Sequence, residues 1–475
     1  MRNTWVKIFL ASLWCVCVYR AVTQSIVHDE AYTFALYLTR DTRWIFKDYD
    51  PNNHFLNTLL MKASVWLFGV KEWSLRVPAL AGAGLYFAAV YRLCTRALQT
   101  TVGALLAAAF VTLNPFILDL MVAARGYGLA LAFWMWALIW SLGFMEEATG
   151  SANLVKAGVA LVLSIAANLT FLVPAAVLAG ALLVVQIRRR TVTGGRARPI
   201  AFVILAACIC GLFFAAMKAA HATGAFFYVG YSTISQSLRN LTGVSLSHGF
   251  PFRYIPQIAP LAYWMEAVAF CIAPAAVVGA LIAGAKSRDP LLLLISACAL
   301  GSAAILAILH ALAGVPYPGD RTGLYFLVLA PLALMGLADW CASMPGYRVG
   351  AIAAYALALV ITAQFALQFD THRFLTWEYD ADNKQILERL AQEVKDKHSG
   401  AVRVSASWLL EPSLNFYRRT WRLTWMREVT RDPVAAGADY YILNDRDRAA
   451  ADTLGLRRIY EGPTVGNILA AAPGR

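Results

Sequence analysis

Apolar residues occur in this chain as long blocks rather than in alternation with polar ones. A membrane-crossing helix needs about 20 mostly apolar residues. Blocks of about that kind lie at about 5–22, 77–93, 101–118, 125–145, 155–172, 173–187, 200–217, 259–285, 290–312, 323–341 and 349–368. The pattern predicts eleven spans, with the fifth and sixth divided at Pro174. The first block follows Arg2 and Lys7, as a secretory leader would, but it ends Tyr19-Arg20-Ala21-Val22-Thr23. That is a poor small-residue cleavage site, so the block is expected to stay as a signal anchor.

After residue 369 the apolar runs shorten and charge rises. Ile386, Leu387, Leu390 and Val394 recur at helical spacing behind Asp382, a capping residue type. Val402–Ser405, Tyr440–Leu443, Arg457–Tyr460 and Val465–Leu469 read as strands. The expected organisation is a transmembrane domain over 1–369, with an external loop at 24–76, and a soluble α/β domain over 370–475.

Composition agrees with this division. Residues AVILMFWYC make up 59% and charged residues 15% of the 475, against about half and a quarter in soluble domains. The net charge of +13 would suit a nucleic-acid partner, but its placement does not. Residues 1–369 hold 25 Lys and Arg against 13 Asp and Glu, whereas 370–475 hold 16 against 15. The surplus therefore belongs to the loops between spans. Arg92/Arg96, Arg188-Arg189-Arg190 with Arg196/Arg198, Lys286/Arg288 and Arg348 fall on one side with Arg2 and Lys7. By the positive-inside rule that side is cytoplasmic. The expected location is the cytoplasmic (inner) membrane, with a cytoplasmic N-terminus and an extracytoplasmic C-terminal domain. All eight cysteines lie at or before Cys341, in or beside apolar runs, and Cys15/Cys17 and Cys208/Cys210 read as packing. No extracellular disulfide framework is expected.

Candidate chemistry gathers on the external side. Span one is followed by His28-Asp29-Glu30-Ala31-Tyr32-Thr33. Two adjacent carboxylates at a membrane face suit a general base or an ion ligand. They equally suit the solvated first turn of a helix. Asp48-Tyr49-Asp50-Pro51-Asn52-Asn53-His54-Phe55-Leu56 follows, and 54–68 predicts an interfacial helix rather than a span. The turn Pro51-Asn52-Asn53 could aim His54 at Asp29, where it would be a structural hydrogen-bonder or a catalyst.

Two arginines lie at the outer ends of later spans. Ala124-Arg125-Gly126-Tyr127 opens span four, after Asn114-Pro115 closes span three. Pro316-Tyr317-Pro318-Gly319-Asp320-Arg321-Thr322 joins spans nine and ten. Each Arg could clasp a phosphate through paired hydrogen bonds or anchor at the interface. Arg125 could also pair with Asp29, Glu30 or Asp119. Glu266 and Asp339 read as buried pairing residues, and Asp119 as a further acidic candidate. The loop 218–258 carries Lys218, His221, Arg239, His248 and Arg253 among Tyr228, Tyr231 and Tyr254. It either covers a lipid phosphate and a sugar or is a plain surface loop. No P-loop, HExxH or G-x-S-x-G pattern occurs.

The ordered set resembles the integral-membrane glycosyltransferases of the C-type fold (GT-C). It comprises Asp29-Glu30 after span one, Asn53-His54 opening an interfacial helix, Leu67-Phe68-Gly69, and Ser74-Leu75-Arg76-Val77-Pro78 entering span two. Bacterial relatives of the protein O-mannosyltransferases and of the lipid A aminoarabinose transferases are the nearest match. The likeness covers 1–145 well and 310–345 moderately; elsewhere it extends only to layout. Where that family shows His-Pro-Pro-Leu, this chain has Asn53-His54-Phe55-Leu56, a departure that bears on the acceptor pocket.

The resemblance implies a transferase whose donor is a sugar on a polyprenyl phosphate and whose acceptor is a glycan, lipid or protein. Asp29 then corresponds to the base, with Glu30 beside it. His54, Asn53, Arg125, Tyr127, Arg321 and Tyr317 become substrate-binding candidates. No metal-ligand spacing is evident and no cofactor is assigned, although a divalent ion bound by Asp29 or Glu30 is possible chemistry. The competing reading is a polytopic lipid or sugar-lipid transporter or flippase, which should show two similar halves; none is visible. A membrane-anchored binding or assembly protein is the third reading, and it leaves the Asp29-Glu30 pair unexplained.

Overall fold

A computed structural model describes residues 4–47, 50–146, 151–193, 230–247, 259–397 and 400–474. Among the described residues, eight helices are long and apolar enough to cross a membrane. The first is α1 (Thr4–Thr23). It is followed by the short α2 (His28–Thr33), a π-helical turn at Phe34–Leu38, α3 (Trp44–Lys47) and α4 (Phe55–Phe68). The second long helix is α5 (Glu72–Ala97).

Three of the eleven expected spans are not among these eight: one is broken, one is shorter, and one lies outside the described residues. The third is broken: α6 (Thr101–Thr112) and α7 (Pro115–Val122) meet at 66°. The Asn114 side chain accepts from the amides of Phe116 and Ile117 and so starts a new helix. Pro115 lacks an N–H and occupies the first helical position. After α8 (Tyr127–Glu146), the fifth block forms α9 (Ser151–Ala167), a shorter apolar helix. Asn168 caps a 3-10 turn, Leu169–Phe171, and α10 (Leu172–Thr193) follows. The boundary therefore lies at Asn168 rather than at Pro174, because Pro174 falls in the first turn of α10, where no N–H is needed. The block at 200–217 lies outside the described residues. So do Cys208, Cys210, Arg2, Arg196 and Arg198, and Lys218, His221, Tyr228, His248, Arg253 and Tyr254 of the basic-aromatic loop.

The amphipathic α11 (Ile234–Leu246) precedes the last four spans. These are α12 (Ala259–Ser287), α13 (Pro290–Ala313), α14 (Phe326–Ser343) and α15 (Arg348–Gln368). The cap of α13 is explicit: the Asp289 carboxylate accepts from the amides of Leu291 and Leu292. Gly314 ends that helix at φ 65°, a left-handed geometry that suits glycine.

Beyond α15 come α16 (Asn383–Lys397), β1 (Val404–Ala406), α17 (Glu411–Thr420), β2 (Tyr440–Leu443), α18 (Ala449–Thr453), β3 (Arg457–Glu461) and β4 (Ile468–Ala471). The sheet order is β1-β2-β4-β3. β1 runs parallel to β2, with Val404 opposite Tyr440; the other pairings are antiparallel. β2 and β4 are buried along their whole length. The apolar runs alone did not show α17, whose polar residues obscure its buried face of Leu414, Phe416 and Tyr417.

The core has two main parts. One fills the bundle around α5, α8 and α14. The other begins in the bundle with Ile26, Ala31, Phe34 and Ala124 and continues into Ile386, Leu390, Leu414 and Tyr440. The α/β domain therefore packs directly on α2 and the π-turn. Polar links fasten the joint. The Ile26 amide donates to the Tyr417 hydroxyl at 2.8 Å, and the Ser25 hydroxyl donates to the Ala381 carbonyl at 2.9 Å. The buried Asp119 carboxylate pairs with Arg20 and accepts from the Leu375 amide. The chain is thus a multi-span α-helical membrane protein with a small C-terminal α/β domain seated on one end of its bundle.

Candidate active site

Three chain turns converge beneath the α/β domain: the start of α2, the α7–α8 junction, and the short 3-10 turn Asp320–Gly323 before α14. Each lies at a helix end, where side chains reach the bundle surface without interrupting a helix.

Asp29 and Glu30 are adjacent but differently engaged. Both Glu30 oxygens are consumed. Oε1 accepts from Arg76 Nε at 2.9 Å and from the Ala124 amide at 2.6 Å. Oε2 accepts from Arg76 Nη2 at 2.7 Å and from the Val27 amide at 3.0 Å. The remaining Arg76 donors go to the carbonyls of Ala21, Gln24 and Ser25. This fully buried knot ties the end of α1, α2, α5 and the α7–α8 junction together. A pair of charges so satisfied holds position and is not available for proton transfer.

Asp29 is held differently. Its Oδ2 is buried and makes no hydrogen bond among the described residues, yet it lies 3.2 Å from Arg321 Nη1 and 3.7 Å from Arg125 Nη2. The Trp377 indole donates to the carboxylate. Burial opposes ionisation here, but Arg321, Arg125, His28 and the Trp377 hydrogen bond together hold the carboxyl below its ordinary value of 3.8. Asp29 is therefore a charged carboxylate at neutral pH with unused acceptor capacity.

Arg125 is a fixed partner. It donates to the Thr33 hydroxyl at 3.1 Å, to the Asn52 carbonyl at 3.1 Å and to the Asn52 side-chain oxygen at 2.8 Å. Arg321 is more accessible, its side chain 15% exposed, and its guanidinium lies over the Trp377 ring at 5.5 Å. The Asp320 carboxylate and amide both bond to the Asn240 side chain, which fixes the Arg321 turn against α11.

The other expected site residues separate. His54 occupies the N-cap position of α4 without a side-chain capping bond and is buried, with Nε2 making no hydrogen bond among the described residues. Its ring meets Tyr127 edge-on at 4.9 Å. Burial, Arg125 and Arg321 push its pKa well below the ordinary 6.5, so the imidazole is neutral. Gly126 permits this approach: a Cβ there would stand 2.0 Å from the Ala167 carbonyl oxygen and 2.9 Å from His54 Cβ. Asn53 faces away from Asp29 in its bonding, donating to the Ile45 carbonyl and accepting from Thr58. Tyr317 pairs its backbone with Tyr231 and stacks on His310 at 4.6 Å. Asp119 belongs to the Arg20 clamp, Glu266 accepts from Ser247, and Asp339 accepts from Tyr355.

Sequence reasoning missed Trp377 and Asn52 as contributors to the site, and Arg76 as partner of Glu30. Arg76, at the entrance to an apolar block, signals a buried partner; nothing in the local sequence marks Trp377.

A cation does not suit this carboxylate pair. Asp29 faces two guanidinium groups, and Glu30 has no open oxygen. Among the described residues, no group of three or more His, Cys, Asp and Glu side chains could hold a metal ion.

Behind the Arg321 turn lies an apolar cavity of about 240 Å³ between α11, α12, α14 and α15. Phe110, Ile272, Phe326, Leu334 and Phe365 line it. Leu241 lines the cavity and also packs against Gly323 of the turn. Ser237, on the same wall, donates to the Pro318 carbonyl.

The fold and site define a polytopic helical membrane protein with an acid–arginine centre at one end of its bundle. No family model matches the chain, and no curated protein matches it. Solved structures similar to it include ArnT from Cupriavidus metallidurans, in the apo state and bound to undecaprenyl phosphate. Each is 14% identical at a TM-score of 0.49, and each alignment covers 98% of this chain; coverage of ArnT is 97% and 98%. The Archaeoglobus fulgidus oligosaccharyltransferase is 13% identical at a TM-score of 0.45 over 98% of this chain and 73% of its own. At these values the likeness assigns neither chemistry nor substrate.

Proposed function

We propose that this protein is an inverting glycosyltransferase that moves a hexosyl or pentosyl unit from a polyprenyl-phosphate donor to an acceptor hydroxyl. The carrying observation is the state of Asp29: charged, buried, with an oxygen that makes no hydrogen bond, and flanked by Arg321 and Arg125. A base needs free acceptor capacity, and a leaving phosphate needs positive charge close by. The apolar cavity beside the Arg321 turn supports a lipid donor, since it offers a polyprenyl tail a dry wall next to a cationic headgroup site.

In this reading the acceptor O–H gives its proton to the Asp29 carboxylate. The acceptor oxygen attacks the anomeric carbon as the bond from that carbon to the phosphate oxygen breaks. One displacement inverts the centre and needs no second carboxylate as nucleophile, which accords with Glu30 being occupied by Arg76. Arg321 takes the phosphate charge. Engaging the phosphate weakens its pull on Asp29 and makes the carboxylate more basic. Neutral His54 and Tyr127 form the wall beside Arg125. The basic residues Arg92, Arg96, Lys286 and Arg348 lie at the other ends of their helices, and Arg288 lies in the turn that joins α12 to α13. That distribution supports a site at the extracytoplasmic face of the inner membrane.

The test is transfer from a synthetic polyprenyl-phosphate sugar by detergent-purified protein. Asp29→Asn is expected to lower the rate by about 10²- to 10⁴-fold with membrane insertion unchanged. Full retention of transfer removes Asp29 as the base.

A further inference from the structure

A second cavity, of about 250 Å³, opens where the α/β domain meets α2 and the π-turn. Tyr32, Phe34 and Ala35 line one side; Glu411, Pro412 and Arg431 are on the other. We propose that it binds the acceptor, and that the acceptor part held here is a neutral saccharide unit. This inference rests on the transferase reading for the word acceptor, and on the cavity alone for the saccharide.

Three observations carry it. The first is the fixed polar edge. Glu411 Oε1 accepts from the Asn415 amide at 2.6 Å, and Oε2 accepts from Arg431 Nε at 2.9 Å. Asn415 is itself locked by the backbone of Val429 in both directions. A carboxylate has about four acceptor positions, so Glu411 keeps open lone pairs on both oxygens. The terminal nitrogens of Arg431 make no hydrogen bond among the described residues. Acceptor and donor positions therefore lie side by side, an arrangement that meets adjacent hydroxyl groups.

The second is the aromatic wall. The Tyr32 ring lies near-parallel to the His28 ring at 6.4 Å, and the Arg431 guanidinium stands 5.5 Å from its centroid. His28 is in turn fixed through Nδ1 to the Leu409 carbonyl. With Phe34 and Pro412 this supplies apolar surface for sugar C–H groups beneath a polar rim, the usual composition of a small-ligand pocket. Among the described residues no strand lines the cavity, so they offer a peptide no sheet edge on which to add. The lining holds one acidic and two basic side chains, and Arg419 is already paired with Glu428. That balance does not call for a strongly charged ligand.

The third is position. Tyr32 lies three residues after Asp29 on α2, one helical turn away and on a neighbouring part of the same face. The rise along the axis is about 4.5 Å. A sugar seated against Tyr32 is thus delivered by the same short helix that carries the base.

Saturation-transfer NMR on the full chain in nanodiscs tests this with two probe sets. One is a panel of methyl glycosides (hexose, N-acetylhexosamine and pentose); the other is a set of blocked tripeptides. The wild type is expected to give signal with at least one glycoside. Glu411→Ala and Arg431→Met should weaken that binding at least 10-fold, while Gly180→Ala, in α10 with nothing within 4 Å of the added methyl, retains it. Arg431→Met leaves the Glu411–Asn415 contact in place and guards against misfolding of the Ala variant. No glycoside signal in the wild type, binding unchanged in both cavity variants, or signal confined to the peptides would each overturn the proposal. Glycoside binding in a protein that transfers no sugar would leave the cavity assignment standing and sink the transferase reading.

Discussion

At the scale of single residues, two adjacent carboxylates are engaged in different ways. Glu30 is saturated by Arg76 and two backbone amides, whereas Asp29 keeps an oxygen without a hydrogen bond. Truncating one partner of a buried pair leaves the other charge stranded, at a cost of about 3–5 kcal/mol. Glu30→Ala should therefore lower the thermal midpoint sharply, as read by fluorescence-detected unfolding in detergent. A variant as stable as wild type would show that the knot is not needed to hold α2. Asp29 carries a pH prediction. Arg321 and Arg125 keep its carboxyl below 3.8 despite burial. Its contribution to stability is then complete above the unfolded value and is lost as pH falls through the lower folded value. Infrared titration should place the Asp29 band below 3.8 in the wild type and higher in Arg321→Ala, because a stabilising positive charge is gone. An unmoved band would separate Arg321 from Asp29. The sequence located the carboxylate pair and both arginines. It could not say which carboxylate was engaged, since that depends on Arg76, 46 residues away, and on the amide of Ala124.

At the scale of elements, close approach at the α7–α8 junction governs the site. Gly126 passes so near the Ala167 carbonyl and His54 that no side chain fits. Gly126→Ala should destabilise by about 1–3 kcal/mol and displace Arg125 from Asn52. Gly180→Ala is the matched control. It lies in α10 with nothing within 4 Å of the added methyl, and helix propensity there gains up to about 1 kcal/mol. Thermal unfolding of the two variants checks the pair of expectations. Equal midpoints would mean that the junction relaxes freely. The apolar blocks made most long helices legible. They did not show that the third block bends by 66° at Asn114, because an interrupted and a straight helix have similar average hydropathy. Asn-Pro was visible as a stop; the capping by Asn114 that restarts the chain as α7 was not. The interfacial character expected for 54–68 corresponds to a helix with an inverted pattern. Asn57, Thr58 and Ser64 face inward, while Trp66 and Leu67 are exposed at 83% and 62%.

At the scale of the whole molecule, the C-terminal domain is part of the site rather than an appendage. Trp377 donates to Asp29 and underlies Arg321. The Asp380 carboxylate accepts from the His28 amide at 2.6 Å and from Ser413 and Asn383. Burial pushes Asp380 well above the ordinary carboxylate value. The links of Trp377 to Asp29 and of Asp380 to His28 join residues more than 340 positions apart in sequence. No local pattern announces such pairs, which is why the strands at 440–443 and 457–461 were readable and the joint was not. The polar cavity lies at this joint, between α2, the π-turn and α17.

The most direct measurement is mass spectrometry of the lipids that co-purify with wild type, Asp29→Asn and Arg321→Ala. The account predicts an intact polyprenyl-phosphate sugar retained by Asp29→Asn, in which binding survives without transfer, and lost from Arg321→Ala, in which the phosphate has no clasp. Equal amounts of the intact lipid in all three proteins, or none in any of them, would contradict it.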